Sequence, residues 1–372
     1  MLRRQFLQQT GMLTVGSLFL PRIISATAKD DPTILLVSGW QDVNIGDIAH
    51  TPGLLHVLET YVPKAKIILW KKSRGEEVAS LLNSNFPQVK IIYGDVDKDE
   101  NVNSKEVLDA FKQSDIMVHG SGPSVVGEIN LKAWHKSTGK PFGIFGVTIQ
   151  NIDPELKALL EKASFIYTRE TKSLEVLKSA GISGSNVSFA PDATFFLDIQ
   201  DKQTADQFLK ENNLEEKKFI CAIPRLRVTP YYKIKETNWS QERIEEVEAL
   251  NNSKKEWDHA KLREAMVTWV RQTGNKVLVC PEMTYQVEIM DELLIEPLPD
   301  DVKPFVLREV IWLPDEAASI YKKAFAVLSF ECHSPIIAVA NSTPFFYLKG
   351  NRRILLKAKC TMTLILMIGF LK

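Results

Sequence analysis

From Thr33 onward, short apolar runs alternate with longer stretches whose apolar residues recur at helical spacing. TILLVSG, KIILW, VKIIYG, DIMVHGSG, PFGIFGVTI, SFIYTRE and NVSFAP read as strands. Between them GLLHVLETYV, GEEVASLLNSNF, SKEVLDAFKQS, residues 126–136, PELKALLEKA and SLEVLKSA read as helices. Thr51 and Pro52 should cap and start the first of these, because proline suits a first helical turn. Strict alternation of strand and helix predicts a parallel sheet covered by helices on both faces. A charged helix, DKQTADQFLKENNLEEKK, then marks a junction near Glu215, and a second alternation follows. Its strands are KFICAIPRL, KVLVCPEM, VIWL, AVLSF and PFFYL, and its helices are DHAKLREAMVTWVRQTG, QVEIMDELL, PDEAASIYKKA and SPIIAVAN, with a charged stretch before the first helix. The expected architecture is α/β, with two doubly wound, Rossmann-like domains, residues 29–214 and 215–350, facing each other across a cleft.

The two ends fall outside this pattern. Residues 1–28 contain Arg3-Arg4, then Phe6-Leu7, an apolar stretch and Ala26-Thr27-Ala28. That order resembles a twin-arginine (Tat) export signal with cleavage after Ala28, which predicts a periplasmic or cell-envelope location. A membrane-anchored N-terminus is the alternative, although the apolar stretch is short for a span of about 20 residues. No stable span is expected once the signal is removed. Residues 351–372 turn basic and then run without charge from 361 to 370, too short to cross a bilayer and without the caps or period of a core helix.

Composition narrows the partners. The chain has 372 residues, 45% hydrophobic and 25% charged, and 46 Lys and Arg balance 46 Asp and Glu. A neutral balance argues against nucleic acid and acidic membranes, which need a basic excess. The four cysteines, Cys221, Cys280, Cys332 and Cys360, contain no C-x-x-C pair, which excludes a zinc ribbon or thioredoxin motif. Cys221 and Cys280 lie inside strands and read as buried thiols. No cluster of metal ligands is visible, so metal independence and no cofactor are expected.

In a doubly wound sheet the chemistry belongs at the carboxyl ends of the strands. The loop after the first strand, GWQDVNIGDIAHTPG, is long and polar and leads to a helix N-terminus, where free N–H groups favour an anion or a sugar. Asn44 and Asp47 are its candidate acceptor-binding residues; turn capping is the equal alternative. After the fourth strand, Gly120, Ser121 and Gly122 would let backbone amides approach a ligand. His119 beside them reads as a satisfied core histidine. Arg169 follows the sixth strand, placed to clamp a carboxylate or phosphate. The plainer reading is a salt bridge to Glu170. The loop after FICAIP carries Arg225, Arg227, Tyr231 and Tyr232, two cations for an anion and two rings for a sugar. Glu282 ends the next strand. Glu331 and His333 lie where AVLSF meets the last helix, and a histidine among carboxylates suits general acid–base work. A polar pair capping that helix is equally compatible with the spacing.

Four segments together carry a resemblance: NIGD, GSGP, YTRETKSLEVLKSAGI with VSFAPDATF behind it, and HSPIIAVANSTPFFYL. In order and spacing, from Thr33 to Leu348, they resemble the polysaccharide pyruvyl transferase family. The resemblance implies a fold similar to glycosyltransferase-B, with two Rossmann-like domains. It implies transfer of the enolpyruvyl group of phosphoenolpyruvate to a sugar as a pyruvate ketal. In that family an Arg-x-His pair at a late strand end, together with an arginine of the first domain, handles the donor; His333 matches the histidine and Arg169 the arginine. This chain departs from the pattern at Glu331, which stands where the pair would have arginine. A carboxylate there would repel a trianionic donor by on the order of several kcal/mol at short range. Arg225 or Arg227 could supply the lost cation, or the donor differs. Family members continue past the strand matching PFFYL with a polar stretch and an aromatic-rich segment. Residues 351–372 do not, and a frameshift near Lys349 would explain it, as would a genuine unusual tail.

Two functions follow as expectations. One is a transferase acting on cell-envelope polysaccharide, with His333 as general acid, Glu331 or Glu282 orienting it or taking a hydroxyl proton, and Arg169, Arg225 and Arg227 holding the anion. The other is an exported glycan-binding or glycan-modifying protein on the same scaffold that does not transfer pyruvate.

Overall fold

The computed structural model of the chain describes residues 21–23, 25–309 and 312–348. Most of the expected export signal and the whole of the unusual tail, with Cys360, lie outside the described residues. Among the described residues the chain divides into two compact units. The first comprises the residues up to Asp42 and from Asp47 to Asp198; the second comprises Val43–Gly46 and the residues from Ile199 on.

The first unit holds seven parallel strands in the order β3-β2-β1-β4-β5-β6-β7. These are β1 (Thr33–Ser38), β2 (Lys66–Lys71), β3 (Lys90–Ile92), β4 (Ile116–His119), β5 (Phe142–Val147), β6 (Phe165–Thr168) and β7 (Val187–Phe189). Each expected strand is present; β2 runs one residue further than expected and the others are shorter. β4, β5 and β6 are buried at every position, as strands covered on both faces must be. Several of the helices between them start where the sequence offers an acceptor. Ser104 accepts from Val107 N at 3.4 Å, and Asp153 accepts from Leu156 N at 2.8 Å ahead of Pro154.

The second unit holds five parallel strands in the order β10-β9-β8-β11-β12. These are β8 (Phe219–Ile223), β9 (Lys276–Val279), β10 (Val306–Arg308), β11 (Ala326–Ser329) and β12 (Phe345–Tyr347). In both sheets the strand order reverses beside the first strand, between β1 and β4 and between β8 and β11, which places a topological switch point there.

Four expectations are corrected. The strand expected at VIWL is absent from Trp312 and Leu313, with Val310 and Ile311 outside the described residues; the edge strand is instead Val306–Arg308, paired with β9. The first helix runs Ile45–Tyr61 and so begins before Thr51, carrying Pro52 inside it. The charged stretch before the second unit's first helix is itself helical: one helix spans Gln241–Thr273. Ser240 caps it by accepting from Arg243 N at 3.2 Å, and no glycine or proline interrupts it before Gly274 closes it in the left-handed conformation. The unit boundary falls after Asp198, not near Glu215. The charged helix Lys202–Glu211 belongs to the second unit because Ala205 and Leu209 are buried and Asp206 pairs with Lys323 at 2.6 Å.

No helix among the described residues is long and apolar enough to cross a membrane.

Candidate active site

The second unit gathers its chemistry at the switch point. β8 and β11 pair in register through Ile223 and Ser329. Two residues beyond each partner, Arg225 and Glu331 leave the sheet side by side and form a buried ion pair, Nη1 to Oε2. Gln286 Nε2 donates to the other carboxylate oxygen of Glu331 at 2.8 Å. Ser329 Oγ accepts from Glu331 N at 2.9 Å and turns the chain out of the strand. Burial opposes the charged form of Arg225, and the Glu331 carboxylate outweighs it, so the guanidinium is held above its ordinary range. The charge of Glu331, which from sequence alone opposed an anionic ligand, is therefore compensated within the fold.

His333 opens the helix His333–Ala340. Its Nδ1 lies 3.2 Å from Glu282 Oε1. The second oxygen of Glu282 accepts from Ser334 N at 2.6 Å and from Ser334 Oγ at 2.8 Å. Glu282 and His333 are both buried. Burial works against charging the imidazole, but the Cys332 sulfur and the Glu282 carboxylate outweigh it and hold His333 well above its usual value. Burial also pushes Glu282 toward the neutral acid, and the bonds from His333 and Ser334 reverse that and keep it below the ordinary carboxylate range. The result is an imidazolium–carboxylate dyad with Nδ1 committed to Glu282, so chemistry at this ring passes through Nε2.

Glu282, Cys332 and His333 also present donor atoms within 4.8 Å of one another, close enough to hold a small cation. The ring nitrogen 3.7 Å from Cys332 Sγ is the one bonded to Glu282, so a metal there would have to displace the dyad's own hydrogen bond. Cys221 and Cys280 are buried thiols, as expected.

Asn44 lies in the four-residue segment counted with this unit. Its backbone bridges Met283, its Oδ1 accepts from Gly46 N at 2.7 Å, and Ile45 N donates to Glu282 O at 2.9 Å. Arg227 makes a two-pronged bond to Asp258, at 2.7 and 2.8 Å, and lies 6.0 Å from the Trp257 ring. Tyr232 donates to Glu248 at 2.7 Å and packs on Trp239, while Lys235 lies over Tyr231 at 4.4 Å. Both tyrosines are thus engaged with their own loop and the long helix.

In the first unit, Arg169 follows β6 and is buried. Its Nη1 meets Asp192 Oδ2 at 2.6 Å, and its Nε donates to Thr148 Oγ1 at 2.9 Å. Its partner is not Glu170, whose side chain instead accepts from Lys172 N and Ser173 N and caps the next helix. His50 Nε2 lies 3.1 Å from Asp192 Oδ1, and its Nδ1 lies 3.8 Å from Asp47. Gln41 donates to the other oxygen of Asp47. Gly120, Ser121 and Gly122 turn inward. The amides of Gly120 and Gly122 bond Val37 O at 2.9 Å and Gly146 O at 3.4 Å, and Ser121 Oγ accepts from Ala193 N at 3.2 Å. A Cβ on Gly120 would come within 2.7 Å of Ser38 Oγ, so its smallness serves packing. His119 Nε2 accepts from Gly127 N at 2.9 Å, and burial pushes its pKa down to about 3, which fixes it as a neutral core residue.

Sequence reasoning missed Ser334, Gln286, Asp192, Asp258 and His50. Asp192 lies within the VSFAPDATF segment and Ser334 directly follows His333, so both were in view. What the sequence lacked was any sign of which carboxylate meets which cation.

The structure is similar to a UDP-N-acetylglucosamine 2-epimerase from Listeria monocytogenes, at 10% identity and a TM-score of 0.55, covering 91% of this chain and 89% of that one. It is similar to the UDP co-structure of MnaA from S. aureus, at 12% identity and a TM-score of 0.54, covering 86% and 79%. It is also similar to the UDP-GlcNAc 2-epimerase from Neisseria meningitidis bound to UDP-GlcNAc, at 12% identity and a TM-score of 0.51, covering 91% and 92%. Identities this low speak for the fold alone, the two-domain, Rossmann-like glycosyltransferase-B type. No curated protein matches the sequence. The family profile for polysaccharide pyruvyl transferase matches residues 44–351, a range that includes both the Arg169 and the His333 groups. The chain belongs to the polysaccharide pyruvyl transferase family.

Proposed function

We propose that this protein transfers the pyruvyl group of phosphoenolpyruvate to a sugar of a cell-envelope glycan as a ketal, with His333 as general acid. The observation that carries this reading is the buried dyad, His333 Nδ1 to Glu282 Oε1 at 3.2 Å, which keeps a proton on the ring at neutral pH. His333 gives that proton from Nε2 to the methylene carbon of the donor, and C2 becomes oxocarbenium-like. A first sugar hydroxyl adds at C2, and its proton restores His333. A second hydroxyl displaces phosphate, which leaves with that hydroxyl's proton, and the ketal closes. Glu282 stays ionised throughout and stabilises the imidazolium. No step requires a metal or cofactor. Arg225 lies in the same unit as this dyad, and the donor's anionic groups would share it with Glu331. An export signal in residues 1–28 would put the acceptor in the periplasm or cell envelope; fractionation of cells producing the intact chain and its Arg3→Lys/Arg4→Lys form tests that. The activity test incubates the full-length protein with phosphoenolpyruvate and envelope glycans, following phosphate release and the ketal methyl signal by NMR. Absence of both, under conditions where the protein is folded, removes the reading.

A second reading is favoured by one observation. Arg169, Arg225 and Arg227 each face a carboxylate, those of Asp192, Glu331 and Asp258. Cations already neutralised in this way suit an uncharged glycan better than a trianion. Glycan binding that survives His333→Ala, without phosphate release, would support a binding protein instead.

A further inference from the structure

The segment Val43–Gly46 leaves the first unit's chain and is counted with the second. It is tied to the loop that carries Glu282. Ile45 N donates to Glu282 O at 2.9 Å, Thr284 N donates to Val43 O at 3.0 Å, and Asn44 bridges Met283 in antiparallel fashion. Asn44 Oδ1 then accepts from Gly46 N at 2.7 Å and fixes the end of the segment. At that end lies the imidazole of His333. A Cβ built on Gly46 would stand 2.0 Å from His333 Cγ, 2.1 Å from Nδ1 and 2.3 Å from Cβ. These are not the far atoms of a flexible side chain. They are the root of the ring and the nitrogen that meets Glu282. Gly46 is not among the glycines in the left-handed region, so its backbone conformation is open to other residues and only the space is not.

We infer that Gly46 is a positioning residue: its bare backbone is the seat on which the His333 ring rests, and the clamped segment Val43–Gly46 sets the distance and angle between His333 and Glu282. The seat rests on the reading of His333 as the general acid, but its geometry does not. Any side chain at position 46 drives the ring away at its root, and no rotation of the imidazole alone relieves a contact made with its own Cβ. Asn44, placed among acceptor-binding residues by sequence, serves this seat by holding Gly46 N.

The test is a double-mutant cycle in the full-length chain, read by the unfolding midpoint and by 15N NMR titration of the His333 ring. Gly46→Ala lowers the midpoint in the otherwise unchanged protein. In a His333→Gly background, where Cβ and ring are gone, the same substitution costs little, so the two changes couple. Where Gly46→Ala alone does not fold, His333→Gly in addition restores folding. In the folded Gly46→Ala protein the His333 titration midpoint falls by a unit or more, since the bond to Glu282 lengthens while the ring stays buried. Ile45→Val, on the same segment but with the backbone bond to Glu282 O kept, leaves the titration where it was. Equal cost of Gly46→Ala in both backgrounds, failure of the double variant to fold, or an unmoved titration overturns the inference. If coupling and titration shift both appear while phosphoenolpyruvate is not consumed, the seat stands and the transferase reading falls.

Discussion

Arg225 and Glu331 neutralise each other inside the second unit, at the point where its strand order reverses. Such a pair gives little net stability compared with apolar residues of the same size, but removing one partner leaves a buried charge alone. Arg225→Met should therefore destabilise the protein by roughly 3–5 kcal/mol. Arg225→Met combined with Glu331→Leu should recover most of that. Urea unfolding of the single and double variants measures both, and a double variant no more stable than the single would mean the pair is not what holds the site.

The same pair should govern anion binding. Glu331→Gln keeps an acceptor for Gln286 Nε2 and removes the charge that Arg225 faces. Arg225 then has an unbalanced positive charge in a buried setting. Affinity for inorganic phosphate and for phosphoenolpyruvate should rise about tenfold or more, which is a gain of about 1.4 kcal/mol. Calorimetric titration of the two proteins decides it. Unchanged affinity would mean that the donor phosphate does not meet Arg225.

The limits of the sequence lie at such pairings. Strand identity was legible because strands buried on both faces must be apolar throughout, and Ile116–His119 or Phe219–Ile223 carry that mark unmistakably. Helix starts were less so. Thr51-Pro52 looked like a beginning, yet the helix already runs from Ile45, because a proline at its centre forfeits only one bond while the rest of the helix stays intact. Only the first half of the helix through residues 241–273 was hidden by its charge: before His259 its buried positions are Val247 and Asn251, set among Lys and Glu, whereas Leu262, Met266 and Val270 mark a face in the second half. At the site, position was legible and partnership was not. His333, Glu331, Glu282 and Arg225 were all named as candidates from their places at strand ends, and the fold brings them into two buried pairs. That Glu331 belongs to Arg225 and Glu282 to His333 depends on the order of strands in the sheet, which no local pattern states. Gly120 and Gly122 show the converse ambiguity, since small residues near a strand end signal close packing as often as a ligand.

His119 should make the protein acid-sensitive. It is held neutral, with its pKa near 3 against about 6.5 in an unfolded chain. Between those values the unfolded state binds the extra proton, so stability rises with pH and is lost as the pH falls below about 6.5. The effect of one fully buried histidine is on the order of several kcal/mol by pH 3. His119→Gln, which keeps an acceptor for Gly127 N, should flatten that part of the stability–pH curve while leaving turnover nearly unchanged. An equally steep curve in the variant would assign the acid sensitivity elsewhere.

The dyad makes the opposite prediction on the alkaline side. The folded pKa of His333 is raised, so its contribution is complete below the unfolded value near 6.5 and is lost as pH rises through the folded one. The folded pKa of Glu282 is lowered, so its contribution is complete above the unfolded value near 4.3 and is lost as pH falls through the folded one. Between these limits both charges persist, and the stability they confer is flat. Phosphate release, where His333 is the acid, should hold up to the raised pKa and then fall as the proton is lost. Glu282→Gln removes the carboxylate but neither the burial nor the Cys332 sulfur, so the His333 pKa should drop toward its ordinary value and the alkaline limb should move down with it. Turnover at neutral pH should fall by about 10²–10⁴-fold, the usual worth of a positioned general acid. A pH–rate profile of both proteins, paired with NMR titration of the ring, is the measurement. If the limb stays in place while the ring's titration moves, some group other than His333 delivers the proton.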